Sequence, residues 1–380
     1  MRILVLFNHG DKPGLLKMLN ALEVRLESRD YHFFHVVGPK ESYAFSKYGF
    51  DLNRIEIMAG LKKRSNPVTS FITAKRIKEK CHKESIDLIL TYTLSTLPIA
   101  MKVSEKNGIP VVAWLHNAYP DADYRYNKFG LHHCYNIIAV SDFIMSGVRN
   151  YLSKKGIYAE ERNLDVVYNA FDVEGFIKKG DHVSDSGDMR KEAGDFVIAM
   201  IAAMDRNKNP QVILKAAQKI LQINNKVKFW FVGGFPEEKY EQETLALVKE
   251  LGISNNVCFW GPRLDVSRIC KNIDLFVQPS FRDACPLAPI EAMIWEKPVV
   301  ASRTGGIPEI VSHEETGLLC EPGNENDFAH AIIDLIKDPE LGKAMGRKGR
   351  KRVDHMFTMS RLSQDMDNIF RKIKEKSQYN

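Results

Sequence analysis

Residues 279–311 read PSFRDACPLAPIEAMIWEKPVVASRTGGIPEIV, with Asp283 eight positions before Glu291. Pro279 and Ser280 close the apolar run Leu275, Phe276 and Val277, which has the length and character of a buried strand. Prolines 286 and 289 keep the segment from Phe281 to Pro289 from being helical throughout, and Ile290 to Trp295 reads as the start of a helix. An anion lying over that loop would meet free backbone N–H groups at the helix N-terminus, while two carboxylates stand ready to hold hydroxyls. A phosphate joined to a sugar has both needs.

Working outward, short apolar runs bounded by turns recur with helical stretches between them. In the first half these are Ile3 to Phe7, Phe33 to Val37, Leu88 to Leu90, Val111 to Leu115, Ile137 to Val140 and Val166 to Tyr168. The second half contributes Phe196 to Ala202, Phe229 to Val232, Val257 to Trp260, Leu275 to Val277 and Pro298 to Ala301. Strands alternating with helices predict two doubly wound α/β domains with largely parallel sheets. The polar stretch from about Glu174 to Asp195 reads as a linker or surface excursion. Leu362, Met366, Ile369, Phe370 and Ile373 recur at helical spacing, so the last segment is an amphipathic helix that must pack on something. The predicted divisions are 1–175, 176–355 and a C-terminal helix, 356–380, returning to the first domain. Such sheets bind ligands beyond the carboxyl ends of their strands.

The 380 residues are 44% hydrophobic and 27% charged, ordinary for a globular chain of two domains. No run approaches the roughly 20 apolar residues of a membrane span, and MRILVLFNHG turns polar too early for a secretory signal, so the expected location is the cytoplasm. Six scattered cysteines lack zinc-site or disulfide spacing and read as reduced packing residues. The net charge is +6, with a cationic cluster at Lys62, Lys63, Arg64, Lys75, Arg76, Lys78 and Lys80. Interleaved with Leu61, Phe71 and Ile72, it has two readings: contact with anionic lipid at the inner face of a membrane, or a solvated helix face. No aromatic platform or helix-turn-helix pattern points to nucleic acid.

The order of four segments in the second half resembles the retaining glycosyltransferases of family 4. They are the turn Lys208-Asn209-Pro210, FVGGFPEE, VCFWGPR, and IDLFVQPS running through the two-acid loop into TGGIPEIV. The first half agrees more loosely, through IDLILTYT, GIPVVAWLHN, NIIAVSDF and LDVVYNAFD. The resemblance implies the GT-B fold, two facing Rossmann-like domains, with an acceptor-binding first domain and a nucleotide-sugar-binding second one. It implies transfer of a sugar with retention from a nucleotide-diphosphate sugar to a saccharide or lipid-linked glycan, with no metal and no further cofactor.

The same resemblance implies roles for individual residues. Lys208 stabilises the departing diphosphate; the arginine usual five residues earlier is Ala203 here, and Arg206 stands in the same turn as a substitute. Asp283 occupies the position of the sugar-binding acid, where glutamate is usual, and Glu291 that of the ribose-binding acid. Leu287 and Ala288 offer N–H groups to phosphates, whereas Pro286 has none. His116, after the run VVAWL, matches a histidine that contacts the donor sugar. In the glycine loop this chain has Gly10 and Gly14 where a Gly-Gly pair is usual, and Asp121 lies toward the acceptor side. Glu296 stands where a helix-ending glycine is usual.

Each residue also has a plainer reading: Lys208 and Asp121 as solvated loop charges, Glu291 as a helix-dipole partner, His116 as structural, Cys285 as a packing thiol. The Asp121-Ala122-Asp123 pattern resembles only superficially the manganese site of the other large glycosyltransferase fold, because it lacks the single-domain context of that site, and lysine plus a helix N-terminus can replace the cation. Other functions consistent with the residues are an inverting transferase using His9 or Asp11 as base, a nucleotide-sugar epimerase, and a binding subunit without activity.

Overall fold

The computed structural model describes residues 1–8, 13–39, 41–58, 61, 67–105, 107–182, 189 and 191–378. The chain divides into two compact units, one of residues 1–170 with 359–380, the other of residues 171–358.

The first unit is built on a seven-stranded sheet: β1 (Arg2–Phe7), β2 (His32–Val37), β3 (Ile55–Ile57), β4 (Leu88–Thr91), β5 (Val111–Leu115), β6 (Asn136–Ala139) and β7 (Asn163–Val166). Their order is β3-β2-β1-β4-β5-β6-β7, and every pairing is parallel. β1, β4 and β5 are buried along almost their whole length, which is why they read as unbroken apolar runs rather than alternating ones. The last strand sits three residues earlier than its apolar run Val166 to Tyr168 suggests, because Asn136 and Asn163 pair at its start through side chains, Nδ2 to Oδ1 at 2.7 Å. β3 carries only three residues, none buried, so it leaves no apolar run to read.

The second unit holds six strands: β8 (Phe196–Ile201), β9 (Val227–Val232), β10 (Val257–Phe259), β11 (Leu275–Gln278), β12 (Val299–Ser302) and β13 (Gly317–Cys320). Their order is β10-β9-β8-β11-β12-β13, again all parallel. Ile198, Phe229, Phe231, Leu275 and Val277 share a core with Ile213, Leu214 and Ala217 of the helix Pro210–Ile223 and Phe328 and Ile332 of the helix Glu325–Lys337. Fully burying one such side chain contributes about 1.5–3 kcal/mol.

Both orders reverse direction beside their first strand, at β1/β4 and at β8/β11. A sheet of this kind opens a crevice there, at the carboxyl ends, for a ligand. The first part of the stretch expected as a linker is helical instead: Val173–His182 is a helix. It forms because Phe176 and Gly180 have a surface to cover. Ser267 Oγ donates to the Phe176 carbonyl, Lys271 pairs with Asp181 at 2.8 Å, and a Cβ at Gly180 would meet the Trp295 ring at 2.5 Å.

The amphipathic last helix, Met359–Gln378, clusters with the first unit and packs on the helix Pro13–Glu27. Asp367 anchors it, accepting from Tyr31 Oη at 2.5 Å and Arg371 Nε at 2.7 Å and pairing with Arg29 at 3.2 Å. Burial opposes ionisation of Asp367, but the bonds from Tyr31 and Arg371 outweigh it and hold the carboxyl below its ordinary range. Among the described residues no helix is long and apolar enough to cross a membrane.

Candidate active site

The loops that leave β8 and β11, neighbours at the reversal point, bring Lys208 and Asp283 together. Lys208 Nζ donates to Asp283 Oδ1 at 2.5 Å, and the two side chains are 21% and 12% exposed, so the pair is partly shielded and still open to a ligand. The backbone of the first loop is fixed from below: Lys208 N donates to Asp205 Oδ1 at 2.8 Å, and Asn209 takes a left-handed conformation, φ 51°, just before Pro210 opens the next helix. Asparagine tolerates that region better than most residues.

Asn207 ties the two loops to each other. Its carbonyl accepts from Phe281 N at 2.7 Å and its Nδ2 donates to the Arg282 carbonyl at 2.9 Å. A third loop, after β12, closes on the same place: Gly306 N donates to the Asp283 carbonyl at 2.9 Å and Thr304 Oγ1 to the Phe281 carbonyl at 2.9 Å. Gly305 is required here twice over. Its φ is +58°, and a Cβ would stand 2.0 Å from the Asp283 carbonyl oxygen. Gly233, φ +144°, allows a similar approach below, where a Cβ would stand 1.7 Å from the Ala202 carbonyl oxygen.

The helix after the acid loop begins at Leu287, not at Ile290, and runs to Ile294. Pro286 caps it, and Pro289 is tolerated because the first-turn N–H it lacks has no partner within a helix. Leu287 and Ala288 therefore supply the first two N–H groups at this N-terminus. The earlier start corrects the position of Glu291: it is the fifth residue of the helix, beyond the first turn where a carboxylate gains most from the dipole. Glu291 is half-buried and close enough to Cys270 that its charge, after burial itself, adds to the rise of that thiol.

Arg206 turns elsewhere. Its guanidinium pairs with Glu243 at 2.9 Å and Glu237 at 3.6 Å and lies 4.7 Å over the Tyr240 ring. Two carboxylates and a ring on one side explain the direction, and no bond joins Arg206 to Lys208 or Asp283 among the described residues. Glu296 does adopt the conformation usually given to glycine, φ +55°, and its carbonyl lies where a side chain at Gly346 would begin.

In the first unit, His116 follows β5 and packs against Trp114 at 4.7 Å and Tyr92 at 5.8 Å between ring centroids. Asp121 immediately precedes the helix Ala122–Lys128 and pairs with Arg125 at 2.6 Å; that hydrogen bond is the chief reason its carboxyl lies below the ordinary range. Asp123 pairs with Lys154 at 2.6 Å instead of joining Asp121. Gly14 is the second residue of the helix Pro13–Glu27, not part of a loop, because Pro13 is suited to a first helical position. Gly10, Lys62, Lys63 and Arg64 lie outside the described residues. Lys75 and Arg76 are on the exposed side of the helix Pro67–Lys83, where Arg76 pairs with Glu56 at 2.9 Å. Among the described residues no three His, Cys, Asp or Glu side chains group as metal ligands. Cys285 is buried.

Sequence reasoning passed over Asn207, Thr304 and Gln278. Their bonds run between loops far apart in the chain. Gln278 alone left a local trace, a polar residue at the end of an apolar strand.

Residues 185–352, which contain the paired loops, match the family described as Glycosyl transferases group 1. The N-acetyl-alpha-D-glucosaminyl L-malate synthase of Bacillus anthracis is 26% identical over 317 residues, 80% of this chain and 79% of that protein. The chain is a glycosyltransferase that carries the group 1 domain. Its fold is GT-B. A glycosyltransferase of Rickettsia africae superposes with a TM-score of 0.81 at 17% identity, covering 98% of both chains. HepE of Anabaena, solved with UDP-glucose, superposes at 0.77 with 22% identity, covering 98% of this chain and all of its own. In this transferase, then, the β8/β11 crevice with its lysine and acid lies within the segment that defines the family.

Proposed function

We propose that this glycosyltransferase moves a sugar, with retention at the anomeric carbon and without a metal, from a nucleotide-diphosphate sugar to a saccharide or lipid-linked glycan acceptor. The observation that carries this reading is the Lys208–Asp283 pair at the β8/β11 crevice, beside a helix that begins at Leu287. A sugar leaving a diphosphate develops negative charge on the phosphates and positive charge on the ring. An ammonium and a row of helix N–H groups stabilise the first. Asp283 holds the sugar, and Glu291, further along the helix, takes the ribose hydroxyls. Because Arg206 is engaged by two acids, Lys208 is the principal cation in this reading.

His116 is assigned to a hydroxyl of the donor sugar, and Gly14, Gly10 and Asp121 to the acceptor. UDP-glucose in the HepE structure supports a nucleotide-hexose donor for this chain as well. Contact with the inner face of a membrane is the companion proposal. The helix Pro67–Lys83 exposes Val68, Phe71 and Ile72 beside Lys75, the arrangement of a surface that meets anionic lipid. Co-sedimentation with phosphatidylglycerol vesicles, reversed by salt, checks it.

The chemistry is tested by product NMR and by chelation. Retention predicts an anomeric configuration equal to that of the donor. Turnover in EDTA should equal turnover without it; loss in EDTA and recovery with manganese would overturn the metal-free assignment.

A further inference from the structure

We propose that Gln278 is the positioning residue that presents the Asp283 carboxylate to the donor sugar. The inference rests on the assignment of Asp283 to donor binding made above. Gln278 ends β11, is 1% exposed, and follows Leu275, Phe276 and Val277, all buried and apolar. Its Nε2 donates to Asp283 Oδ2 at 3.1 Å and to Ser280 Oγ at 2.8 Å, while Lys208 takes the other carboxylate oxygen. Each oxygen of the acid thus has its own donor.

The amide comes at a cost. Gln278 Oε1 is buried with no hydrogen-bond partner among the described residues, and an apolar side chain in that place would avoid the desolvation. What compensates is the pair of donated bonds. The reverse amide orientation would set a carbonyl oxygen against a carboxylate, so the donor side faces Asp283 for electrostatic reasons.

The two donors differ in what the proposed reaction asks of them. Lys208 ends a flexible four-carbon stem, and its ammonium is needed by the departing diphosphate. As it shifts toward phosphate, Oδ1 becomes available to a sugar hydroxyl, and the carboxylate would be free to turn about χ1 if nothing else held it. Gln278, anchored in a buried strand, keeps Oδ2 in place. It touches no substrate and acts through Asp283.

The test uses the full chain and whichever of UDP-glucose, GDP-mannose and ADP-glucose it turns over fastest, with the corresponding free nucleoside diphosphate as control. Variants are Gln278→Met, Gln278→Glu, Asp283→Asn and the double variant Gln278→Met/Asp283→Asn. Losing a hydrogen bond to a charged group should lower kcat/KM by roughly 10- to 100-fold in Gln278→Met, with nucleotide Kd within about twofold of the parent because the phosphate groups are untouched. The double variant should be no worse than Asp283→Asn. In Gln278→Glu the introduced carboxyl donates to Asp283 only when protonated, so its activity relative to the parent should rise as the pH falls, a readout that also serves if Gln278→Met fails to fold. Multiplying effects in the double variant, an equal loss of nucleotide affinity, or a Gln278→Glu profile parallel to the parent would each overturn the positioning role alone. If Asp283→Asn itself left turnover intact, the donor reading would fall, and this inference with it.

Discussion

The reversal point of the second sheet and the strand ends of the first unit are built differently. After β8, β11 and β12 the loops are bonded to one another: Asn207 to Phe281 and Arg282, Gly306 to Asp283, Lys208 to Asp283. In the first unit Asp121, the residue proposed for the acceptor, pairs with Arg125 one turn along its helix, and His116 packs on the rings of Trp114 and Tyr92. A cross-linked set of loops can hold charges at fixed separation and so exert a preorganised field. In the function proposed above, the donor loops are rigid by construction, while Asp121, proposed for the acceptor, is held through its ion pair with Arg125.

The harshest challenge to that contrast is Lys208→Ala. With Lys208 acting on the departing diphosphate as proposed, its loss should reduce kcat by about 10²- to 10³-fold, read by release of nucleoside diphosphate, with a smaller loss of stability from Asp283 left without its cation. A residual rate near the parent's would show that the cross-linked loops are not where the charge develops.

Gly305→Ala sharpens the point without touching a charged group. A left-handed backbone and a Cβ pressed on the Asp283 carbonyl should cost about 2–3 kcal/mol in urea unfolding, and turnover should fall with it. A variant as stable as the parent would mean that the β12 loop yields freely, contrary to a rigid donor side.

Asp367→Asn tests an ion cluster that serves packing rather than chemistry. Asp367 has its folded-state titration held below the unfolded value of about 3.9. Its contribution is therefore present above that pH and lost as pH falls through the folded value. The substitution should cost about 1–2 kcal/mol near pH 7, shrinking toward zero below about pH 4, in denaturation series at several pH values. A difference independent of pH would remove charge from the explanation.

The smallest effect is expected from Asp121→Asn: a rise of about fivefold in acceptor KM, and a lesser change in donor hydrolysis. If donor hydrolysis dropped as far as in Lys208→Ala, the two regions would not divide their work in this way.

The two doubly wound units, and the loops after β8 and β11 that carry Lys208 and Asp283, were legible because they depend on local pattern. Buried parallel strands announce themselves as apolar runs, and β1, β5, β8 and β11 all do. Where pattern was thin the reading faltered: β3 has no buried residue, and the helix Val173–His182 is polar enough to pass for a linker. The start of the helix at Leu287 was missed by three residues because prolines forbid helix interiors but not first turns.

Sequence alone determined which residue types stand after which strands, and so that a lysine follows β8 and an acid, then a helix start, follows β11. Only the tertiary structure decided which charges meet. Arg206, two residues before Lys208, is drawn to Glu237 and Glu243, while Lys208 reaches Asp283 across 75 positions of chain with Gln278 beneath it. Electrostatic partnership depends on distance in space, and spacing along the chain fixes that distance only within a single element.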